Sequence, residues 1–140
     1  MLFRSVIDDS YNSNPKALTE MIRFVGHLQG YKRKIVVAGE MLELGPSAGE
    51  LHRSCGKEAA AAGVSLIVGV QGEANSLLDG AREAGVENER LRFAVNAEEA
   101  GKILEREVRR GDVVLIKGSR GVKLELALNA LHLTFSIVEA

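Results

Sequence analysis

The sequence predicts an α/β fold, a doubly wound and mostly parallel sheet of about six strands flanked by helices in a single domain. Short apolar runs alternate along the chain with amphipathic stretches long enough for helices, the pattern of parallel βαβ units. Several of these runs are continuously apolar, which is typical of strands buried on both faces. The 140 residues are enough for one domain with a sizeable core.

The first strand and helix are predicted from capping residues and periodicity. Phe3 to Ile7 reads as a strand. Asn14 is suited to cap a helix that has Pro15 at its first position, and Gly30 is suited to end it. Apolar residues recur on one face of that helix at the spacing expected for packing against a sheet.

The next units repeat this order. Residues 35–39 form a continuous apolar run and predict the second strand, followed by a loop over residues 40–46. Ser47 and Glu50 predict a capping box for a helix that runs to about Gly63. The third strand is then expected at residues 66–70, and a helix follows from about 73 to 84.

The last units are predicted in the same way. Residues 91–95 read as the fourth strand, and Asn96 with Glu99 repeats the cap-and-box pattern for a helix to about Arg110. A fifth strand is expected at 112–117. A helix at 122–131 and a last strand at 134–138, antiparallel at an edge, would complete a Rossmann-like domain. The first strand starts almost at Met1, which suggests a domain cut from a longer protein.

Composition excludes several classes of function. A net charge of −1 gives no reason to expect a nucleic-acid or membrane surface. The single Cys55 excludes an internal disulfide framework and fits the reducing cytoplasm. No apolar run approaches the roughly 20 residues that span a bilayer, and no signal segment opens the chain.

The carboxyl ends of parallel strands meet at one edge of the sheet, where open α/β folds bind ligands. The polar segment 8–15 follows the first strand there and is too rich in carboxylates, hydroxyls and amides for a plain turn. Residues 117–121 follow the fifth strand. We therefore expect the functional edge to carry Asp9, Tyr11, Lys117, Ser119 and Arg120. We expect ordinary helix-end chemistry at the opposite edge, in residues 30–34 and 109–112.

Plainer interpretations remain open for several of these residues. Asp8 and Asp9 would also suit a solvated turn, and residues 117–121 would suit either an anion-binding nest or a flexible turn. His27 and His52 lie in predicted helices and are expected to be structural or exposed. Cys55 has no evident base nearby in sequence, and no Cys or His pair has the spacing of a metal site.

Two common motifs are absent from the sequence. There is no Gly-x-x-x-x-Gly-Lys-Ser/Thr loop to hold a triphosphate, and no Gly-x-Gly-x-x-Gly after the first strand.

Four segments together resemble the C-terminal domain of the Mur ligases of peptidoglycan synthesis. They are Ile-Asp-Asp-Ser-Tyr-Asn-Ser-Asn-Pro at 7–15, Ala-Gly-Glu-Met-Leu-Glu-Leu-Gly at 38–45, His52, and Gly-Asp-Val-Val-Leu-Ile-Lys-Gly-Ser-Arg at 111–120. Within the family they are most similar to the ligases that add D-alanyl-D-alanine to UDP-N-acetylmuramoyl-tripeptide. Ser13 stands where the family usually has Ala, and Glu40 where it usually has Asp, which puts a direct role for Glu40 in doubt.

The resemblance implies that residues 1–140 are one domain of a three-domain, ATP-dependent amide ligase. The N-terminal domain for the UDP-sugar and the central domain for ATP and Mg²⁺ are absent from this sequence. Family chemistry phosphorylates the peptide carboxylate, and the incoming amine attacks the acyl phosphate. The C-terminal domain closes over ATP and contacts the acceptor, so the isolated chain is expected to hold no catalytic residue and to be inactive.

The match to the family motifs also implies site residues and partners. Nucleotide contacts are expected from Asp9, Tyr11, Asn12 and Asn14, with Asp9 the best candidate for the ribose hydroxyls. Peptide or acceptor contacts are expected from Lys117, Ser119 and Arg120. The implied partners are UDP-N-acetylmuramoyl-tripeptide, D-alanyl-D-alanine and the two missing domains, with neither nucleic acid nor membrane insertion.

Two other classes of function share features with this sequence. A signalling receiver domain needs an acidic pair after the first strand and a Lys after the fifth, which this chain has, but also an Asp after the third, where the chain reads Val70-Gln71-Gly72. A non-catalytic nucleotide- or sugar-binding module is the second alternative.

Overall fold

The continuous apolar runs form the central strands of one six-stranded sheet. The computed structural model describes residues 5–9, 13–118 and 136–139. The strands are β1 Ser5–Asp9, β2 Arg33–Gly39, β3 Leu66–Val70, β4 Leu91–Ala94, β5 Asp112–Lys117 and β6 Ser136–Glu139. The helices are α1 Pro15–His27, α2 Ala48–Ala61, α3 Ala74–Glu83 and α4 Ala97–Glu107.

The strand order is β4-β3-β2-β5-β1-β6, and every neighbouring pair is parallel. This confirms the predicted doubly wound sheet. The antiparallel alternative for the last strand was wrong, because β6 pairs with β1 in parallel from Ser5 opposite Ser136 onward. Parallel neighbours need a long crossover, and the chain between Lys117 and Ser136 is long enough to make one. The helix expected at 122–131 lies outside the described residues.

Helices cover both faces of the sheet. The core beneath α1, α2 and α3 includes Leu18, Ile22 and Cys55, which pack with the strand residues Val36 and Leu115. On the other face, α4 packs against residues of the opposite strand parity. Because the central strands are buried on both sides, their sequences show no alternation of apolar and polar residues.

Three helix starts were predicted from capping residues, and the capping hydrogen bond is present at two of them. Asn14 and Asn96 both have extended backbones, and their side chains accept hydrogen bonds from the backbone N–H groups of Ala17 and Glu99, each at 2.9 Å. The predicted cap at Ser47 is wrong. A 3₁₀ turn precedes α2 and gives Ser47 a φ of −87° and a ψ of 5°, so its side chain makes no capping hydrogen bond.

The ends of two elements also differ from the prediction. β1 continues to Asp9 rather than ending at Ile7, because Asp8 and Asp9 still pair with Ile116 and Lys117 of β5. Helix α4 ends at Glu107, three residues before the predicted Arg110.

The fully buried thiol of Cys55 lies between α2 and α1. Its side chain is within 3.7 Å of both the Thr19 hydroxyl and the Pro15 carbonyl oxygen. Burial raises the pKa of the Cys55 thiol above its usual value, although the hydrogen bond to Thr19 opposes the shift. This environment favours the unreactive, protonated thiol in the folded state.

We therefore expect iodoacetamide at pH 8 to modify Cys55 only when the chain unfolds. Because the folded-state pKa is raised, the contribution of Cys55 to the free energy of unfolding is fully present below the unfolded-state pKa of about 8.5. That contribution is lost as the pH rises through the higher, folded-state pKa. Mass spectrometry of alkylated protein, with and without guanidinium, measures the difference. Rapid labelling of the native chain would show that the thiol is accessible and would contradict this packing.

Candidate functional site at the carboxyl edge of the sheet

The pairing register brings two of the predicted site residues to adjacent strand ends. Asp9 of β1 lies opposite Lys117 of β5, and Lys117 lies opposite Ala38 of β2. Neighbouring strands are about 4.8 Å apart, so Asp9 and Lys117 occupy the same small region of the edge. Lys117 is only 4% exposed. A lysine buried this deeply normally has a partner for its charge. The Lys117 side chain therefore lies inside the domain at this edge and not on its surface.

The edge also contains the topological switch point of the sheet. After β2, the next strands β3 and β4 lie towards one end of the strand order. After β5, the next strand β6 lies at the other end. Ligand crevices in open α/β sheets form outside the strand ends where the direction of winding reverses. Here that place lies between Gly39 and Lys117, directly beside Asp9.

The start of α1 lies at the same edge. Asn14 is exposed, and the oxygen of its side chain accepts the capping hydrogen bond from Ala17. The preceding Ser13 is 8% exposed, and its hydroxyl has no hydrogen-bond partner among the described residues. The structure thus confirms Asn14 as a helix cap. Its predicted nucleotide contact stays a prediction.

A buried histidine holds the loop that follows β2. His52 of α2 is fully buried, and its Nε2 accepts a hydrogen bond from the Met41 backbone N–H at 2.9 Å. Because Nε2 is the acceptor, Nδ1 carries the hydrogen that is donated to the Ala48 carbonyl oxygen at 2.7 Å. Both ring nitrogens are therefore satisfied, which confirms a structural role for His52 and fixes the loop beside the switch point.

Glu40 joins this loop to the one that follows β3. Its carboxylate accepts hydrogen bonds from the Glu73 backbone N–H at 2.9 Å and from the Gln71 side-chain amide at 3.3 Å. The Glu40 backbone N–H also donates to the Val70 carbonyl oxygen. The carboxylate is thus engaged within the domain at the start of α3, in agreement with the doubt about a direct ligand role.

Two residues of these loops have an unusual backbone. Glu43 and Gln71 are the non-glycine residues with positive φ in the described part of the chain, at 60° and 72°. Left-handed conformations of this kind often occur at functional sites, where the surrounding structure enforces them. At Gln71, the hydrogen bond from its side-chain amide to the Glu40 carboxylate helps to hold this conformation. Sequence reasoning placed Gln71 after the third strand at this edge but did not predict its positive φ, because no turn motif marks it.

The remaining predicted site residues, Tyr11, Asn12, Ser119 and Arg120, lie outside the described residues. Within the described ranges, no group of three or more His, Cys, Asp or Glu side chains is placed to hold a metal ion. None of the described helices has both the length and the apolar character needed to cross a membrane.

Comparison with known proteins identifies the family to which the chain is similar. A family model described as "Mur ligase, glutamate ligase domain" matches residues 4–120. UDP-N-acetylmuramoyl-tripeptide--D-alanyl-D-alanine ligases are similar to the chain: 28% identical over 121 residues in Bacillus subtilis strain 168, and 32% over 129 in Escherichia coli strain K12. These alignments cover 86% and 91% of the chain but only 26% of each relative.

A solved structure is similar to most of the chain. The crystal structure of MurF ligase from Thermotoga maritima in complex with ADP matches with a TM-score of 0.71 and 27% identity, covering 89% of this chain and 27% of that one. The chain thus spans about a quarter of the length of the relatives it matches. The family model spans most of the sequence, and the fold agrees with that of a solved member. The chain belongs to the Mur ligase family and corresponds to its C-terminal domain.

Proposed function

We propose that this chain is the C-terminal domain of a longer ATP-dependent ligase that adds D-alanyl-D-alanine to UDP-N-acetylmuramoyl-tripeptide in cytoplasmic peptidoglycan synthesis. The relatives that it matches carry the name of this reaction, and they extend well beyond the region of similarity. The upstream domains would bind the UDP-sugar, most of the ATP and Mg²⁺.

The observation that carries the proposal is the register of Asp9 beside Lys117 at the switch point. The family motifs assign the segment that follows β1 to the nucleotide and the segment that follows β5 to the peptide. Because β1 and β5 are neighbours, these two segments begin side by side. A closing domain that delivers both sets of contacts together would shield an acyl phosphate from water. The similar ligase from Thermotoga maritima was solved in complex with ADP, which supports the use of an adenine nucleotide by the longer enzyme.

The residue roles follow from this placement. Asp9 would accept hydrogen bonds from the ribose hydroxyls, with Tyr11, Asn12 and Asn14 also near the nucleotide. Lys117 would contribute positive charge between the two sites. Ser119 and Arg120 would contact a peptide substrate, since an arginine can form two parallel hydrogen bonds to a carboxylate.

The surface at this edge has apolar residues that suit an interdomain contact. Leu42, in the loop held by His52, is 40% exposed, and Val95, after β4, is 59% exposed. These residues follow strands whose carboxyl ends lie at the candidate site. Contact with another domain of the same polypeptide would bury the apolar area of these residues. The contact would also exclude water from the candidate site when the domains close.

The Arg120→Lys variant of the full-length ligase tests the peptide role. Lysine keeps the charge but cannot reproduce the two-pronged hydrogen bonding of arginine. We expect the Michaelis constant for one peptide substrate to rise about ten-fold, as for the loss of one charge-assisted hydrogen bond, while that for ATP stays nearly constant. Steady-state kinetics with each substrate varied in turn measures the effect.

Arg106→Lys is the matched control, because Arg106 is exposed on α4 and lies away from the carboxyl edge. If Arg120→Lys gave the same constants as this control for both peptide substrates, Arg120 would be a solvated residue with no substrate contact.

A further inference from the structure

A cavity lies at the amino edge of the sheet, opposite the candidate site. Its volume is about 230 Å³, and it is lined by Lys32, Arg33, Arg109, Arg110 and Asp112. Arg33 and Asp112 are the first residues of β2 and β5, and the other three lie in the turns before these strands. The sequence predicted only ordinary helix-end chemistry here, but four cations around one carboxylate are more than a helix end requires.

The two turns are fixed to each other by hydrogen bonds. The Lys32 backbone N–H donates to the Gly111 carbonyl oxygen at 2.7 Å. The Arg33 guanidinium donates to both carboxylate oxygens of Asp112, at 3.0 and 2.8 Å, and the Arg109 backbone N–H donates to one of them at 2.7 Å. The cavity wall is therefore built before any ligand arrives.

Glycine at position 111 brings the Lys32 side chain close to the second turn. Gly111 has a φ of +94°, and a Cβ there would lie 3.0–3.2 Å from the Cβ, Cγ and Cδ of Lys32. The aliphatic stem of Lys32 thus passes directly over Gly111. This contact restricts the stem, while Lys32 as a whole remains exposed and lines the cavity.

The charge of the cavity is not balanced by the described residues. Asp112 is 1% exposed and is neutralised by Arg33. Lys32, Arg109 and Arg110 have no carboxylate within salt-bridge distance in the described part of the chain, so a surplus of three positive charges remains. Most other described arginines do have such a partner: Arg23, Arg53, Arg82 and Arg92.

This local surplus stands out because the whole chain carries a net charge of only −1. Cations crowded together without counter-charges repel each other and raise the potential inside a concave site. An anion would relieve that repulsion. Arginine in particular suits oxyanions of phosphate type, because its planar group forms two parallel hydrogen bonds to them.

We propose that this cavity binds a small phosphate-type oxyanion through Lys32, Arg109 and Arg110. Its volume lies below the roughly 300 Å³ at which pockets for drug-sized ligands begin, which favours a phosphate or pyrophosphate group over a whole nucleotide. The six residues of β5 separate it from the carboxyl edge by roughly 17 Å or more. It is thus distinct from the proposed nucleotide and peptide sites and does not depend on them.

Titration of the ¹⁵N-labelled chain with inorganic phosphate at pH 8, at constant ionic strength set with chloride, tests the proposal. We expect saturable shifts of the backbone amides of residues 30–33 and 109–112. The Lys32→Ala, Arg110→Ala double variant should bind phosphate at least about ten-fold more weakly, since it removes two charge-assisted contacts. ADP in a parallel titration should bind at this cavity no better than inorganic phosphate.

The Arg106→Ala variant is the matched control, because Arg106 is also an exposed arginine without a salt bridge among the described residues but does not line the cavity. It should change phosphate affinity less than about two-fold. Non-saturating shifts spread over the surface, or equal weakening by Arg106→Ala and the double variant, would overturn the proposal. Thermal melting of each variant verifies that the fold is intact.

Discussion

The Gly80→Ala variant is expected to lose at least about 3 kcal/mol of its free energy of unfolding. This loss is at or above the upper end of the range that overpacking usually costs. A Cβ at position 80 of α3 would lie 1.9 Å from the Arg53 carbonyl oxygen of α2. Backbone cannot rotate away as a side chain can, so the two helices would have to separate. Gly56 of α2 is the reciprocal contact, because a Cβ there would lie 1.9 Å from the Leu77 carbonyl oxygen.

Gly49→Ala is the matched control on α2. A Cβ at this position would meet only the ends of the Glu73 and Ser76 side chains, at 3.5 and 3.8 Å. Alanine is the better helix former, so this variant should be as stable as the wild-type chain or gain up to about 1 kcal/mol. Guanidinium unfolding measures both variants. Equal stability of Gly80→Ala and Gly49→Ala would mean that α2 and α3 do not cross as closely as described.

The Asp112→Ala variant is expected to lose about 2–4 kcal/mol of its free energy of unfolding. The buried carboxylate accepts two hydrogen bonds from Arg33 and one from the Arg109 backbone, and all three bonds would be lost. Arg33 Nη2 would keep its hydrogen bond to the Glu107 carbonyl oxygen. The lower part of that range allows for Arg33, whose side chain is 28% exposed and can regain some hydration. Urea unfolding at pH 7 measures the loss.

Glu58→Ala provides the comparison with an exposed ion pair. Glu58 also accepts two hydrogen bonds from one arginine, Arg23, but these side chains are 32% and 59% exposed. Its loss should cost less than about 1 kcal/mol. If both substitutions cost the same, burial would not be what makes the Arg33–Asp112 pair important.

The sequence predicted the sheet well because its signals are local. Continuous apolar runs marked β3 and β5 with the correct bounds, and Asn14 and Asn96 marked helix starts because an extended residue with a short amide side chain is an effective cap. Ser47 carried the same kind of signal and misled, since the 3₁₀ turn before α2 gives it a different backbone conformation. Local patterns do not contain that information.

The contacts that sequence reasoning could not predict join residues far apart in the chain. Gly56 and Gly80 looked like ordinary positions within helical patterns, and only the packing of α2 on α3 shows that a methyl group does not fit. Asp112 looked like the start of a strand. It is the first residue of β5, and its carboxylate also accepts two hydrogen bonds from Arg33 at the start of β2, which lies 79 residues earlier in the chain. These pairings depend on strand order, which periodicity does not specify.

The candidate site was predicted in outline for a topological reason. Once the strands are parallel, all their carboxyl ends reach one edge, and Asp9 and Lys117 had to lie there. Their adjacency required the strand order, with β5 between β1 and β2. The anchoring of the neighbouring loops by His52 and Glu40 was not predicted, because each bond joins a side chain to a distant backbone group.

The nucleotide role of the carboxyl edge is tested most directly by the Asp9→Ala variant of the full-length ligase. Loss of a carboxylate that accepts hydrogen bonds from ribose hydroxyls should raise the Michaelis constant for ATP about ten- to a hundred-fold and leave that for D-alanyl-D-alanine nearly unchanged. Asp8→Ala is the control, since Asp8 has the same chemistry but the opposite strand parity. An unchanged constant for ATP, or an equal rise for all three substrates, would contradict the assignment of this edge to the nucleotide.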